Sequence, residues 1–224
     1  MRAAWYEHQG DPYHSLVVGE MPDPAPGAGE VRIAITVSGL SPGDVKKRSG
    51  WQGSTMAYPR VIPHSDGAGT IDAVGPGVTQ DRIGEHVWCY AAQSYRPFST
   101  AAEYVVVPGD LAVPLTAATD TPQPSGDLDA QACCLGIAGI TANRAVFADG
   151  PVDGFTVLIH GAAGGVGSIA TQLARRDGAN VLAVVRNDHQ IGQALRPARA
   201  TPSATTTLTS PGESPASPPT ACTG

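Results

Sequence analysis

The chemistry most legible in this sequence sits in a glycine-rich turn, Gly161-Ala162-Ala163-Gly164-Gly165-Val166-Gly167. A dinucleotide's pyrophosphate needs several backbone N–H donors at close range and the positive end of a helix dipole. Both occur where a helix begins behind residues that lack a bulky side chain. Ala162, Gly164 and Gly167 form A-x-G-x-x-G, one methyl away from the fingerprint G-x-G-x-x-G, with Ala163, Gly165 and Val166 completing the turn. In this pattern Gly164 lets the phosphates approach, and Gly167 lets the helix lie close to the strand. Glycine spacing alone is weak evidence, so its neighbours matter. Residues 155–159 read as a short apolar strand before the turn. Residues 168–176 read as a helix after it, with Val166, Ile169, Ala170 and Leu173 on one face. Residues 181–185 read as a second apolar strand, which makes a βαβ unit.

The second strand ends V-V-R-N-D. An acidic side chain at this place accepts hydrogen bonds from a ribose 2′-OH, whereas an arginine pairs a 2′-phosphate. Arg186 comes first, followed by Asn187 and then Asp188, an order that favours NADPH over NADH. The alternative leaves Arg186 as a solvated strand-end charge and lets Asp188 reach the ribose.

The rest of the chain supplies the elements that must hold this unit. Its 224 residues are 42% apolar and 15% charged, with 27 glycines, 20 prolines and a net charge of −6. That is a loop-rich chain of two small domains without the basic footprint that nucleic acid demands. Residues 1–126 read as short β segments punctuated by Gly and Pro, at about 31–37, 69–74, 86–90 and 102–107, several of them alternating as in V-R-I-A-I-T-V. This describes an all-β barrel. Residues 127–190 switch to α/β, with one helix or two over 128–147 ahead of the βαβ unit. Residues 191–224 are dominated by Pro, Thr, Ala and Ser, with Leu208 the one large apolar side chain after Pro197. Such text cannot offset an ordering entropy of roughly 1–2 kcal/mol per residue and reads as a disordered tail. The start MRAAWYEHQGDP lacks an apolar leader, and the longest aliphatic runs, such as YVVV, fall far short of the roughly 20 residues a membrane helix needs. A cytoplasmic protein without a membrane partner is expected. Cys89, Cys133, Cys134 and Cys222 show no C-x-x-C spacing and read as free thiols.

The order of a β-rich segment and this βαβ unit, with G-E-V-R-I at 29–33, SGLSPGDVKKRSG at 38–50, IPHSDGAGTIDAVGPGV at 62–78 and G-I-T-A at 139–142, resembles the medium-chain dehydrogenase/reductase superfamily. Within it the chain is most similar to the zinc-independent quinone oxidoreductases related to zeta-crystallin. The resemblance runs from Met1 to about Asp188. It implies a mixed β and α/β fold: a GroES-like barrel, then a partial Rossmann (doubly wound) domain, with the active site in the cleft between them. Zinc-dependent relatives hold catalytic metal with a Cys in the first of these motifs and a His-Glu pair in the second. Here the matching places carry Ser41, then Ser65 with Asp66, and serine hydroxyls are poor zinc ligands. The resemblance therefore implies hydride transfer from NADPH to a small quinone or activated enone with no metal. Such an acceptor needs mainly orientation and a donor for the developing oxyanion.

From the resemblance, Ser41 and Asp44 of SPGD face nicotinamide or substrate, although Ser41 replaces the family's common Asn. Thr141 matches the position that meets the nicotinamide end of the cofactor. His64 stands where many relatives have Gly and is a candidate donor to substrate oxygen, with a structural role as the alternative. Tyr90 and Tyr95 are candidates to wall the substrate pocket by stacking, and barrel packing suits them equally. Lys46, Lys47 and Arg48 read as a solvated face.

A complete family member continues for about four more strand–helix units, and the late strands through which the family commonly dimerises have no counterpart here. The 191–224 text is what an out-of-frame reading of GC-rich DNA tends to produce. A truncated or frameshifted product is therefore expected, with weak cofactor affinity and little turnover. Sequencing the DNA through codons 185–224 tests this. The competing functional reading is an inactive fragment that serves as a nucleotide- or protein-binding module, using an unpaired strand edge for strand addition.

Overall fold

The computed structural model describes residues 1–115, 125–195 and 206–209. The chain forms two compact units, Met1–Ile137 and Ala138–Gly224.

The first unit contains, in chain order, β1 (Arg2–Tyr6), α1 (Pro12–Ser15), β2 (Leu16–Glu20), β3 (Glu30–Gly39), α2 (Pro42–Ser49), β4 (Asp66–Val74), β5 (His86–Cys89), β6 (Tyr104–Pro108), β7 (Ala112–Pro114) and α3 (Ser125–Ala132). Five strands form one antiparallel sheet in the order β6-β3-β4-β5-β7, and β1 pairs with β2 in a separate two-stranded sheet. The period of two in the sequence becomes the inside and outside of this sheet. Val31 and Ile33 on β3 are fully buried and pack with Ile71, Val87, Val105 and Val107, while Arg32 between them turns out to pair Asp72 through two bonds of 2.9 Å. Each such aliphatic side chain contributes about 1.5–3 kcal/mol by leaving water. Register shifts at Arg32/Ile33 and Ile35/Val37 mark irregularities where β3 pairs with β4.

Helix α3 belongs to this unit. The Asp129 carboxylate on α3 is buried, accepts from the Thr36 hydroxyl of β3 at 2.5 Å, and lies 2.6 Å from His86 Nε2 on β5. The division between the units therefore falls after Ile137, where the sequence pattern placed it after residue 126.

The expected helical stretch 128–147 resolves as two helices, α3 and then α4 (Ile137–Phe147), which leads into the second unit. There β8 (Thr156–His160), α5 (Gly165–Arg176), β9 (Asn180–Val184), α6 (His189–Leu195) and β10 (Thr206–Thr209) follow. The sheet is parallel, in the order β10-β9-β8, with Thr156 opposite Asn180 and Thr206 opposite Val181. Its core gathers Ala142, Ile159, Ala162, Ala174, Val181 and Val185.

One member of the expected face of α5 departs from it, while Ala170 is in the core and Ile169 and Leu173 pack against it. Gly167, Ala170, Thr171 and Ala174 are buried, whereas Val166 is 38% exposed. Small residues let the helix axis come close to the sheet, and the larger Ile169 and Leu173 flank that contact. Two stretches of the expected tail carry elements, the end of α6 and β10; the remainder of that tail lies outside the described residues, as does Cys222. Cys89, Cys133 and Cys134 are free. No helix among the described residues is long and apolar enough to cross a membrane.

Candidate functional site

In the second unit the turn between β8 and α5 can be followed one N–H at a time. The N–H groups of Gly161 and Ala162 both donate to the Val184 carbonyl at 3.0 and 3.1 Å, which ties the start of the turn to the end of β9. Gly164 N–H donates to the Gly161 carbonyl, and Ser168 N–H to the Gly164 carbonyl. The N–H groups of Gly165, Val166 and Gly167, the first turn of α5, have no backbone acceptor among the described residues. They are the orphan donors of a helix start, at the positive end of its dipole.

Gly161 makes the turn with φ +73°. A Cβ on Gly167 would lie 2.2 Å from the Gly161 carbonyl oxygen, so the third fingerprint glycine is required by backbone-to-backbone approach. Beside the turn is a cavity of about 270 Å³ lined by His160, Gly161, Ala163, Gly164, Arg186 and Gln190 among others. Arg186 is exposed and has no ion-pair partner among the described residues; its backbone N–H is held by Gln190 Oε1 at 2.9 Å. The Asn187 side chain accepts from the Gln190 N–H, a local bond that orders the strand end. Thr141 lies on α4, exposed.

In the first unit, Ser41 caps α2. Its N–H donates to Asp44 Oδ2 at 2.7 Å, and Asp44 is 5% exposed. One carboxylate oxygen of Asp44 is thus committed to a helix start, a role that any S-x-x-D sequence ahead of a helix can fill. His64 is half-buried with φ +75°, a conformation that explains why glycine suits this position. Its Nδ1 lies 2.7 Å from Ser38 Oγ. Burial pushes the imidazole's pKa below the ordinary histidine range, with the Asp44 charge opposing.

Asp66 is 4% exposed, its Oδ2 accepts from Ile137 N–H at 2.8 Å, and its Oδ1 is buried without a hydrogen-bond partner among the described residues. Burial, aided by the Asp44 charge, pushes its pKa up to about 6. Burial likewise pushes the Cys89 thiol up to about 12 and that of Cys133 up to about 11, which makes both poor nucleophiles. No group of three or more His, Cys, Asp or Glu converges as a metal cage among the described residues.

A second cavity of about 270 Å³ in this unit is walled by Tyr6, Met56, Tyr58 and Tyr95, with Lys47 and Gln93 at its polar side. Tyr95 is therefore at a pocket. Tyr90 is not among its lining residues and packs against Trp88, with ring centroids 5.5 Å apart. Sequence reasoning missed Tyr6, at the end of β1, and Met56 and Tyr58, from the loop between α2 and β4, which no shared period links.

The basic run is also not a uniform solvated face. Lys46 lies over the Trp51 ring at 4.2 Å, Lys47 donates to Gln93 Oε1 at 2.8 Å, and Arg48, 9% exposed, donates to the Gly10 carbonyl. A helix puts three consecutive residues on three different faces, so each meets a different neighbour.

Comparison with known proteins agrees with this architecture. Residues 27–117 match the alcohol dehydrogenase GroES-like domain. The chain is 34% identical over 186 residues to a quinone oxidoreductase of Rattus norvegicus, covering 81% of this chain and 52% of the relative. It is 30% identical over 206 residues to an alcohol dehydrogenase of Geobacillus stearothermophilus, covering 85% and 60%. Among solved structures, a mycobacterial protein complexed with NADPH superposes with a TM-score of 0.72 at 26% identity, covering 95% of this chain and 59% of the other. A quinone oxidoreductase of Pseudomonas syringae gives a TM-score of 0.73 at 26% identity, covering 92% and 58%. The chain thus spans about half the length of the curated quinone oxidoreductases it matches. A GroES-like unit followed by a parallel βαβ unit with the A-x-G-x-x-G turn at its helix start places this chain in the medium-chain dehydrogenase/reductase superfamily.

Proposed function

We propose that the protein is an NADPH-dependent oxidoreductase that reduces a quinone or activated enone without zinc. The observation that carries the reading is the set of three N–H groups at Gly165, Val166 and Gly167 without an acceptor among the described residues, beside the Arg186-lined cavity. These donors suit a pyrophosphate, and the guanidinium of Arg186, free of other carboxylates among the described residues, suits a 2′-phosphate. When bound, NADPH supplies the hydride.

The protein's own part is to bind and orient. The aromatic pocket of Tyr6, Tyr58 and Tyr95 suits a flat ring, which stacking holds in one plane. His64 is the candidate proton donor to the acceptor's oxygen. Ser41 and Asp44 shape the wall at the start of α2, and Thr141 is proposed for the nicotinamide end of the cofactor. Absence of zinc is supported by the donor set, since Ser41 and Ser65 offer neutral hydroxyls where thiolate or imidazole is needed.

Isothermal titration with NADPH and NADH, followed by NADPH oxidation with simple quinones, tests the proposal. Tighter NADPH binding and quinone-dependent oxidation are expected. No binding of either nucleotide, or stoichiometric zinc by metal analysis, overturns it. A second reading, a nucleotide-binding module without turnover, draws on β8: it is one of the two edge strands of its sheet among the described residues, with Leu158 65% exposed. NADPH binding with no oxidation across a quinone panel would select that reading.

A further inference from the structure

Around His64 runs a line of hydroxyls whose hydrogens can be assigned one after another. Thr100 is fully buried, and its hydroxyl meets the Asp66 carbonyl at 2.7 Å. A carbonyl can only accept, so Thr100 donates there and its single hydrogen is used. At 3.0 Å from Ser38 Oγ, Thr100 Oγ1 can then only accept, which commits the single hydrogen of Ser38. Ser38 Oγ in turn can only accept from His64 Nδ1, 2.7 Å away. Nδ1 must carry a hydrogen. The other ring nitrogen, Nε2, has no hydrogen-bond partner among the described residues and is not one of the buried polar atoms that lack one, so it is open to solvent.

We infer that Ser38 and Thr100 are positioning residues that hold neutral His64 as its Nδ1–H tautomer, leaving Nε2 a bare acceptor that can donate a proton only from the imidazolium. The φ of +75° fits this account. A non-glycine residue in that region is strained and persists where its surroundings determine it. Here the determining contact is a part-buried bond chain whose buried end is anchored on the backbone of β4.

The inference deepens the proposed reductase reading and rests on it for its catalytic meaning. In reduction the acceptor takes two electrons with the cofactor's hydride and one proton from His64. The Nε2–H bond breaks as the acceptor's O–H bond forms, and the ring is left neutral with Nδ1–H intact. Solvent then returns a proton to Nε2. A neutral His64 with the opposite tautomer would donate from Nε2 and be left as an anion, which is unfavourable; the hydroxyl chain removes that form altogether.

The test is the ring's nitrogen spectrum in the full-length chain, recorded with ¹⁵N-labelled histidine at a pH above its titration and assigned by loss of the signal in His64→Gln. A protonated, pyrrole-type Nδ1 and a bare, pyridine-type Nε2 are expected. Thr100→Val removes the acceptor of the Ser38 hydrogen, lets Ser38 donate to Nδ1 and inverts the two signals. Should that variant not fold, Ser38→Ala releases the ring to a mixture of tautomers, and Ser38→Thr restores the Nδ1–H form. A pyridine-type Nδ1 in the unmodified chain, or signals unmoved by Thr100→Val and Ser38→Ala, overturns the inference. NADPH oxidation with a quinone is measured on the same sample. Lack of turnover with the expected signals defeats the reductase reading alone, and turnover with a pyridine-type Nδ1 defeats the tautomer assignment alone.

Discussion

Asp66 shows at the scale of one residue how burial turns an ordinary carboxylate into a liability. A Cβ on Gly136 would sit 2.1 Å from Asp66 Oδ1, so backbone presses on the carboxylate, and among the described residues no donor meets Oδ1 in hydrogen-bond geometry. With its pKa raised from 3.8 in the unfolded chain to about 6, the neutral acid is the form the fold prefers. Its contribution to stability is fully present below pH 3.8 and is lost as pH rises through 6. The total loss is about 3 kcal/mol at 1.36 kcal/mol per pH unit. Denaturant titrations between pH 4 and pH 7.5 should show this decline, and Asp66→Asn should flatten it. Arg186 gives the second residue-scale prediction. Arg186→Ala should weaken NADPH binding about 10- to 100-fold, the worth of charge-assisted bonds of roughly 1.5–3 kcal/mol, while leaving NADH unchanged in calorimetry. An equal loss for both nucleotides would remove Arg186 from the 2′-phosphate site.

Two helices decide matters at the scale of elements. The start of α5 has two glycines, separated by Val166, with opposite tolerances. A methyl on Gly167 meets the Gly161 carbonyl oxygen at 2.2 Å, and neither backbone can yield, whereas a methyl on Gly165 has nothing nearer than Ala138 Cβ at 4.0 Å. Gly167→Ala should therefore destabilise by about 1–3 kcal/mol and abolish nucleotide binding. Gly165→Ala should be neutral or stabilising by up to about 1 kcal/mol. Thermal melts of the two variants side by side check the contrast. Helix α3 meets the sheet through the buried carboxylate of Asp129, which faces Thr36 and His86. Both helices were readable as helices from sequence. The exposure of Val166 was not, because the helical spacing that groups it with Ile169, Ala170 and Leu173 competes with close approach by Gly167, Ala170 and Ala174, and proximity to the sheet favours the smaller residues.

At the scale of the whole molecule the two units have separate cores, one built on Val31, Ile33 and Val107 and the other on Ile159, Ala174 and Val181. Separate cores imply separate unfolding events, and a ligand that binds one unit stabilises that one. Scanning calorimetry should show two transitions, and NADPH at ten times its Kd should stabilise the unit carrying the glycine turn by about 1.4 kcal/mol. One transition that shifts as a whole would join the units into a single cooperative body. Local patterning was enough to specify the strands at 31–37 and 181–185, the glycine turn and the order of β-rich and α/β text. Each depends on neighbours in sequence: alternation, helical period and the backbone freedom of glycine. The family resemblance, too, lay in contiguous segments. The Tyr6–Tyr58–Tyr95 pocket, the company kept by Arg48, the buried oxygen of Asp66 and the bond line from Thr100 to His64 join residues tens of positions apart. No periodicity encodes such meetings, since burial and hydrogen-bond direction exist only after the strands have paired, and so the tertiary structure alone decided which side chains became chemical groups.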